Sequence, residues 1–169
     1  MDWFNNQYIK KTELDRLVDL ALPLLEQGGY LEEDPEDDEL ETLKEVLGLI
    51  RPSLEKLTDL KDHRDLEIFY GSLDLDSESR EVLRWDSSPT VLRKLKENLN
   101  QKETITPDEV STLVKEVKEE VEVGYKEVYK PLRAAITGKI SGPEIKEVVS
   151  ILGPAVASER LDSALEDLD

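Results

Sequence analysis

Thr106-Pro107-Asp108-Glu109-Val110-Ser111-Thr112-Leu113-Val114-Lys115-Glu116-Val117-Lys118-Glu119-Glu120-Val121 is the stretch that decides the fold class. A hydroxyl stands where a helix N-cap belongs, proline follows at the first helical position, and glutamate comes three residues after the cap. Together these form a capping box. Behind it, Val110, Leu113, Val114, Val117 and Val121 recur at three- and four-residue steps, the apolar stripe of an amphipathic helix. The same spacing governs Leu14, Leu17, Val18, Ala21 and Leu25, then Leu40, Leu43, Leu47 and Ile50, and again Ile145, Val148, Val149 and Leu152. Sustained apolar–polar alternation of the kind a strand needs is missing. The chain reads as all-α, built as two small helical-bundle subdomains.

Local chemistry predicts where helices begin and end. Ser88-Pro89 and Gly142-Pro143 are expected to open helices in the manner of Thr106-Pro107, and Gly153-Pro154 to end one helix and start the next. Gly28-Gly29 is expected to close a helix opened at Thr12 and kinked at Pro23. The polar run from Asn98 to Glu103 reads as a linker, so the subdomains are expected at 1–98 and 104–169.

Composition narrows the chemistry. The chain has 169 residues, with 40 Asp and Glu against 22 Lys and Arg, a net charge of −18. Its 38% hydrophobic content is enough for a packed core. There is no cysteine, which excludes disulfides, zinc fingers and thiolate nucleophiles. No apolar run approaches the ~18 residues that span a bilayer, and the start lacks a basic-then-apolar signal pattern. A soluble, cytoplasmic chain without membrane contact is expected. Half of the acidic excess falls between Glu26 and Glu45, where ten acids face one lysine. That run lacks the spacing of a calcium loop and is interrupted by Pro35, so it reads as solvated charge. The single histidine, His63, sits in a polar run where the neighbouring Asp62 would be on the wrong side of a helix to orient it, and it reads as an exposed loop residue. No glycine pattern for cradling phosphate occurs. Neither a catalytic nor a metal-binding set is found.

The stretch from Tyr125 to Arg160 is different. Between Lys126 and Lys146, the cations Lys126, Lys130, Arg133, Lys139 and Lys146 stand against Glu127 and Glu144, a local charge of +3. Arg80 to Lys102 holds Arg80, Arg84, Arg93, Lys94, Lys96 and Lys102 against Glu81, Asp86 and Glu97, also +3. A net anion repels phosphate, but screening limits interactions to about 8 Å at physiological salt, so a local basic patch survives a distant acidic loop. By spacing alone, each patch reads as a solvated helix face.

The run Pro131-Leu132-Arg133, then Thr137-Gly138, Gly142-Pro143, Ile151-Leu152-Gly153 and Arg160-Leu161, resembles the C-terminal signature of bacterial-type glutamyl-tRNA synthetase, a class I aminoacyl-tRNA synthetase. The opening Asp2-Trp3-Phe4-Asn5-Asn6-Gln7-Tyr8-Ile9 resembles the family's lead into its anticodon-binding part, and Ile50-Arg51-Pro52 resembles a third family segment. The landmarks stand in family order over nearly the whole chain. The resemblance implies a tRNA-binding piece of a ligase that joins glutamate to tRNA with ATP and Mg held in an N-terminal Rossmann-type domain. The signatures of that domain, His-x-Gly-His and Lys-Met-Ser-Lys-Ser, do not fit a chain with one histidine and methionine only at Met1. This chain is therefore expected to bind the anticodon stem-loop and to act as a monomer without catalysis of its own.

The resemblance also assigns residues. Arg133, Gly142, Pro143 and Ile145 match positions that contact the anticodon, while Lys130, Lys139 and Lys146 are phosphate candidates from charge and position. Arg51 and Ser53 form a further pair. Some family members carry an arginine at the position of Ser53 that separates the glutamate anticodon from the glutamine one, so serine here implies relaxed discrimination. Two alternatives are an acidic helical protein-interaction module without RNA affinity, and the C-terminus of a related enzyme such as class I lysyl-tRNA synthetase.

Overall fold

The computed structural model describes residues 13–32, 34–61, 65–70 and 74–168. The Trp3 segment, Thr12 and His63 lie outside them. Among the described residues there are α-helices and short 3₁₀ turns and no strand, in agreement with the all-α reading. No helix among them is long and apolar enough to cross a membrane. The chain divides into two compact units, 1–72 and 73–169.

In the first unit, α1 (Leu14–Gln27) and α2 (Asp37–Ile50) pack together, followed by 3₁₀ turns at Arg51–Ser53 and Leu57–Lys61 and the short α3 (Leu66–Tyr70). The apolar stripes face inward as their spacing requires: Leu17, Ala21, Leu25, Leu43, Val46 and Leu47 are fully buried. Each such side chain removed from water contributes about 1.5–3 kcal/mol before entropy is counted. α1 continues through Pro23 and closes at Gly28, so the proline does not divide the helix. Gly28 also meets the turn at Leu57–Lys61 so closely that a Cβ there would lie 2.4 Å from the Lys61 carbonyl oxygen. The acidic run supplies the start of α2, where Asp37, Asp38 and Glu39 stand at the positive end of the helix dipole.

The second unit holds α4 (Ser77–Leu83), α5 (Ser88–Leu99), α6 (Pro107–Val121), α7 (Tyr125–Thr137), α8 (Ile145–Leu152) and α9 (Pro154–Leu168). α7 is central and packs against each of the other five. Its Val128, Leu132, Ala135 and Ile136 are buried. The capping box of α6 forms as read: the Glu109 N–H donates to the Thr106 hydroxyl at 3.2 Å and the Thr106 N–H donates to the Glu109 carboxylate at 3.1 Å.

Two expectations are corrected. The units part at 72/73, and the run from Asn98 to Glu103 lies inside the second unit. α5 buries Val91, Leu92, Leu95 and Leu99 against α6, α7 and α9, so it belongs with the helices that follow it. Ser88, moreover, does not cap α5. It is the first helical residue, and its hydroxyl donates to the Val82 carbonyl at 2.7 Å, tying the end of α4 to the start of α5.

Candidate nucleic-acid interface

α7 ends at Gly138, in the left-handed conformation with φ +73°, and the chain runs through Lys139–Glu144 before α8 begins. The buried Thr137 hydroxyl organises this exit. It lies 2.9 Å from the Arg133 carbonyl oxygen and 3.0 Å from that of Lys139, and it accepts from the Lys139 N–H at 3.1 Å. Arg133, one turn earlier, reaches across the loop, and its Nη1 donates to the Pro143 carbonyl at 2.7 Å. Gly142, with φ +148°, brings the backbone close to the same guanidinium: a Cβ there would sit 3.8 Å from Nη1. The loop is thus pinned from its start by Thr137 and from its far side by Arg133.

That arginine explains a helix start that differs from expectation. Gly142-Pro143 does not open α8; the helix starts at Ile145, with Glu144 in the extended cap position. The Pro143 carbonyl is taken by Arg133, and the Glu147 N–H bonds the Glu144 carbonyl instead, at 3.1 Å.

Arg133 is half-buried. Burial pulls its pKa below the ordinary arginine value, and the nearby Glu144 opposes that. A guanidinium carries five N–H donors, and the carbonyl bond commits one of them. That bond goes to a neutral oxygen, and Glu144 is near enough to favour the charged form. Pro143 is partly exposed, Gly142 and Lys139 are exposed, and Lys130 is partly exposed. Lys146 pairs with Glu144 at 3.3 Å. Lys139 stands near Asp76. Burial pushes the Asp76 carboxyl up, but hydrogen bonding from Ser79 and the charge of Lys139 outweigh it and hold the group below its usual range. Ile145 points inward at 4% exposure beside buried Val148 and Val149, so its side chain packs in the core and offers no face to a base.

Arg51 and Ser53 belong to the first unit, in the 3₁₀ turn after α2, and the other seven candidates belong to the second. Ser53 is exposed and its hydroxyl donates to the Ile50 carbonyl at 2.7 Å. Two positioning residues were not named as site residues from the sequence. Thr137 is one. Arg160 is the other: its Nη1 donates to the Ile136 carbonyl at 2.6 Å and so holds the last turn of α7 from α9. Their only signal was the pattern Thr137-Gly138 and Arg160-Leu161. In the second basic stretch three lysines have acidic neighbours. Lys94 lies near Glu97 and Glu120, Lys96 pairs with Asp162, and Lys102 pairs with Glu109. Among the described residues, no cluster of His, Asp and Glu is arranged to hold a metal ion.

Comparisons with known proteins bear on the family and the fold. The chain is 36% identical over 95% of its length to a glutamate–tRNA ligase of Carboxydothermus hydrogenoformans and 34% identical over 99% to that of Geobacillus thermodenitrificans. It spans about a third of the length of these relatives, 33% and 34%. In fold it is similar to a crystal structure of a glutamate tRNA ligase from Elizabethkingia meningosepticum, with a TM-score of 0.84 and 18% identity over 99% of this chain and 32% of that one. The family model described as an anticodon binding domain matches residues 16–165, nearly the whole molecule, and the chain accordingly belongs to the anticodon-binding domain family.

Proposed function

We propose that this chain is the tRNA-reading portion of a glutamate–tRNA ligase and that the loop 138–144 with Arg133 receives unpaired anticodon bases. The observation that carries the reading is the half-exposed Arg133 guanidinium, oriented by the Pro143 carbonyl beside the close-approach position of Gly142. Single-stranded bases are read by hydrogen bonds to their edges and by packing on guanidinium or apolar planes, and Arg133 and Pro143 supply both. Lys130, Lys139 and Lys146 serve as phosphate contacts, with Lys146 released from Glu144 as RNA approaches. Ligation of glutamate, with its ATP and magnesium, belongs to an N-terminal catalytic domain to which this portion is joined, and the whole acts as a cytoplasmic monomer.

The test is binding of an anticodon stem-loop RNA. Arg133→Ala should weaken it about 10-fold or more, as expected for loss of hydrogen bonds to a charged group, while Arg133→Lys should recover only part because an ammonium lacks the planar fork. Affinity unchanged by Arg133→Ala at constant folded fraction would refute the reading. The absence of a charge at Ser53 extends the proposal to a ligase that also charges glutamine tRNA. Aminoacylation of the two tRNAs by the full-length enzyme checks this, and a preference above ~100-fold for the glutamate tRNA would exclude it.

A further inference from the structure

The opening turns of α7 carry a second grouping, separate from the loop. Tyr125 and Tyr129 are one turn apart, with ring centroids 6.2 Å from each other and planes inclined by 31°. The Lys118 ammonium, from α6, lies 4.9 Å from the centre of the Tyr125 ring, and Lys126 lies 5.8 Å from the centre of Trp85. Tyr125 is 48% exposed, so its ring can be reached from solvent. The core has no use for it, because Val128 and Leu132 already supply the buried side of the helix.

Helical spacing connects this grouping to the loop. Tyr125, Tyr129 and Arg133 follow one another at four-residue steps along a single stripe, and Lys126 and Lys130 form the stripe beside it. The acid of this helix, Glu127, falls about 60° beyond Lys130 around the axis. The face therefore alternates rings and cations without a carboxylate of its own helix. From Tyr125 to Arg133 the helix rises ~12 Å, the length of about three stacked nucleotides.

We propose that Tyr125 and Tyr129, flanked by Lys118 and Lys126, form a stacking platform for unpaired nucleotides adjoining those held at Arg133; this rests on the anticodon-reading function proposed above. Every base has a π-face, so rings of this kind bind RNA without demanding a sequence, and the adjacent ammonium groups meet the phosphates. Lys118 fixes the orientation of the Tyr125 ring before RNA arrives. The platform supplies affinity, and the loop supplies base identity.

The experiment compares an anticodon stem-loop RNA with a blunt duplex RNA at one salt concentration, using the wild type, Tyr125→Ala, Tyr125→Phe and Arg133→Ala. Tyr125→Ala should weaken stem-loop binding about 5-fold or more and leave duplex binding unchanged, while Tyr125→Phe, which keeps the ring, should bind like the wild type. A 2-aminopurine in the loop beside the anticodon should lose fluorescence on binding the wild type, a readout that needs no substitution. Stem-loop binding unaffected by Tyr125→Ala but weakened by Arg133→Ala overturns the platform alone. Binding unaffected by either substitution overturns the anticodon reading and the platform with it. An equal loss on duplex RNA, or an unquenched 2-aminopurine, also overturns the platform, even if Tyr125 then proves to contact a protein.

Discussion

Gly142 shows how a single residue can carry a site. Its φ of +148° lies where a side chain is strained, and the space around it is not the obstacle, since the nearest atom to an added Cβ is 3.8 Å away. Gly142→Ala should therefore destabilise the fold by about 1–3 kcal/mol through the backbone, or else shift the loop and loosen the Arg133–Pro143 bond. Thermal denaturation together with stem-loop affinity checks this: a variant with unchanged melting and unchanged binding would show that the conformation matters to neither. Arg133 and Gly142 stand out in the sequence because each belongs to a pattern, and the fold brings the two together at the loop. Ile145 was misread because an apolar residue beside a loop has the same letter whether it faces a base or the core. Only the packing of α8 decides, and that packing buries it with Val148 and Val149.

At the scale of elements, caps were the most readable feature and boundaries set by distant contacts the least. Thr106-Pro107-Asp108-Glu109 forms its box because every partner lies within four residues. The start of α8 could not be placed the same way, since its position follows from an arginine ten residues earlier that takes the Pro143 carbonyl. The run at 98–103 looked like a linker for a similar reason: exposed polar residues mark the surface, and a surface turn between packed helices has the same composition as a true linker. The cap of α6 also yields a pH prediction. The hydrogen bond from Lys102, with the Thr106 N–H, holds the Glu109 carboxyl below its usual 4.5. A depressed carboxylate contributes stability that is complete above its unfolded pKa and is lost as pH falls through the folded value. Glu109→Gln should thus be less stable than the wild type near neutral pH, with the difference shrinking below about pH 4.5. Denaturant unfolding at a series of pH values measures it, and a pH-independent difference would contradict the ion-pair origin.

The whole molecule combines a charge of −18 with a short cationic face on α7. Self-repulsion among the acids opposes compactness, and salt screens it, whereas phosphate binding releases counterions and is weakened by salt. Raising NaCl from about 50 mM to about 200 mM should therefore raise the melting temperature while lowering stem-loop affinity, two changes of opposite sign in one titration. A melting temperature that fell with salt would indicate that the ion pairs dominate over the repulsion. The pairing of Lys94, Lys96 and Lys102 with acids has a consequence for partner choice. Those three cations have acidic neighbours that offset their charge. Under the proposed function, an RNA would meet repulsion over the acidic surface and dwell longest where a flexible, unstacked strand reaches the strip along α7. On that reading sequence-blind attraction to phosphate would be kept low, and tolerance of competing cellular RNA would follow from the distribution of charge.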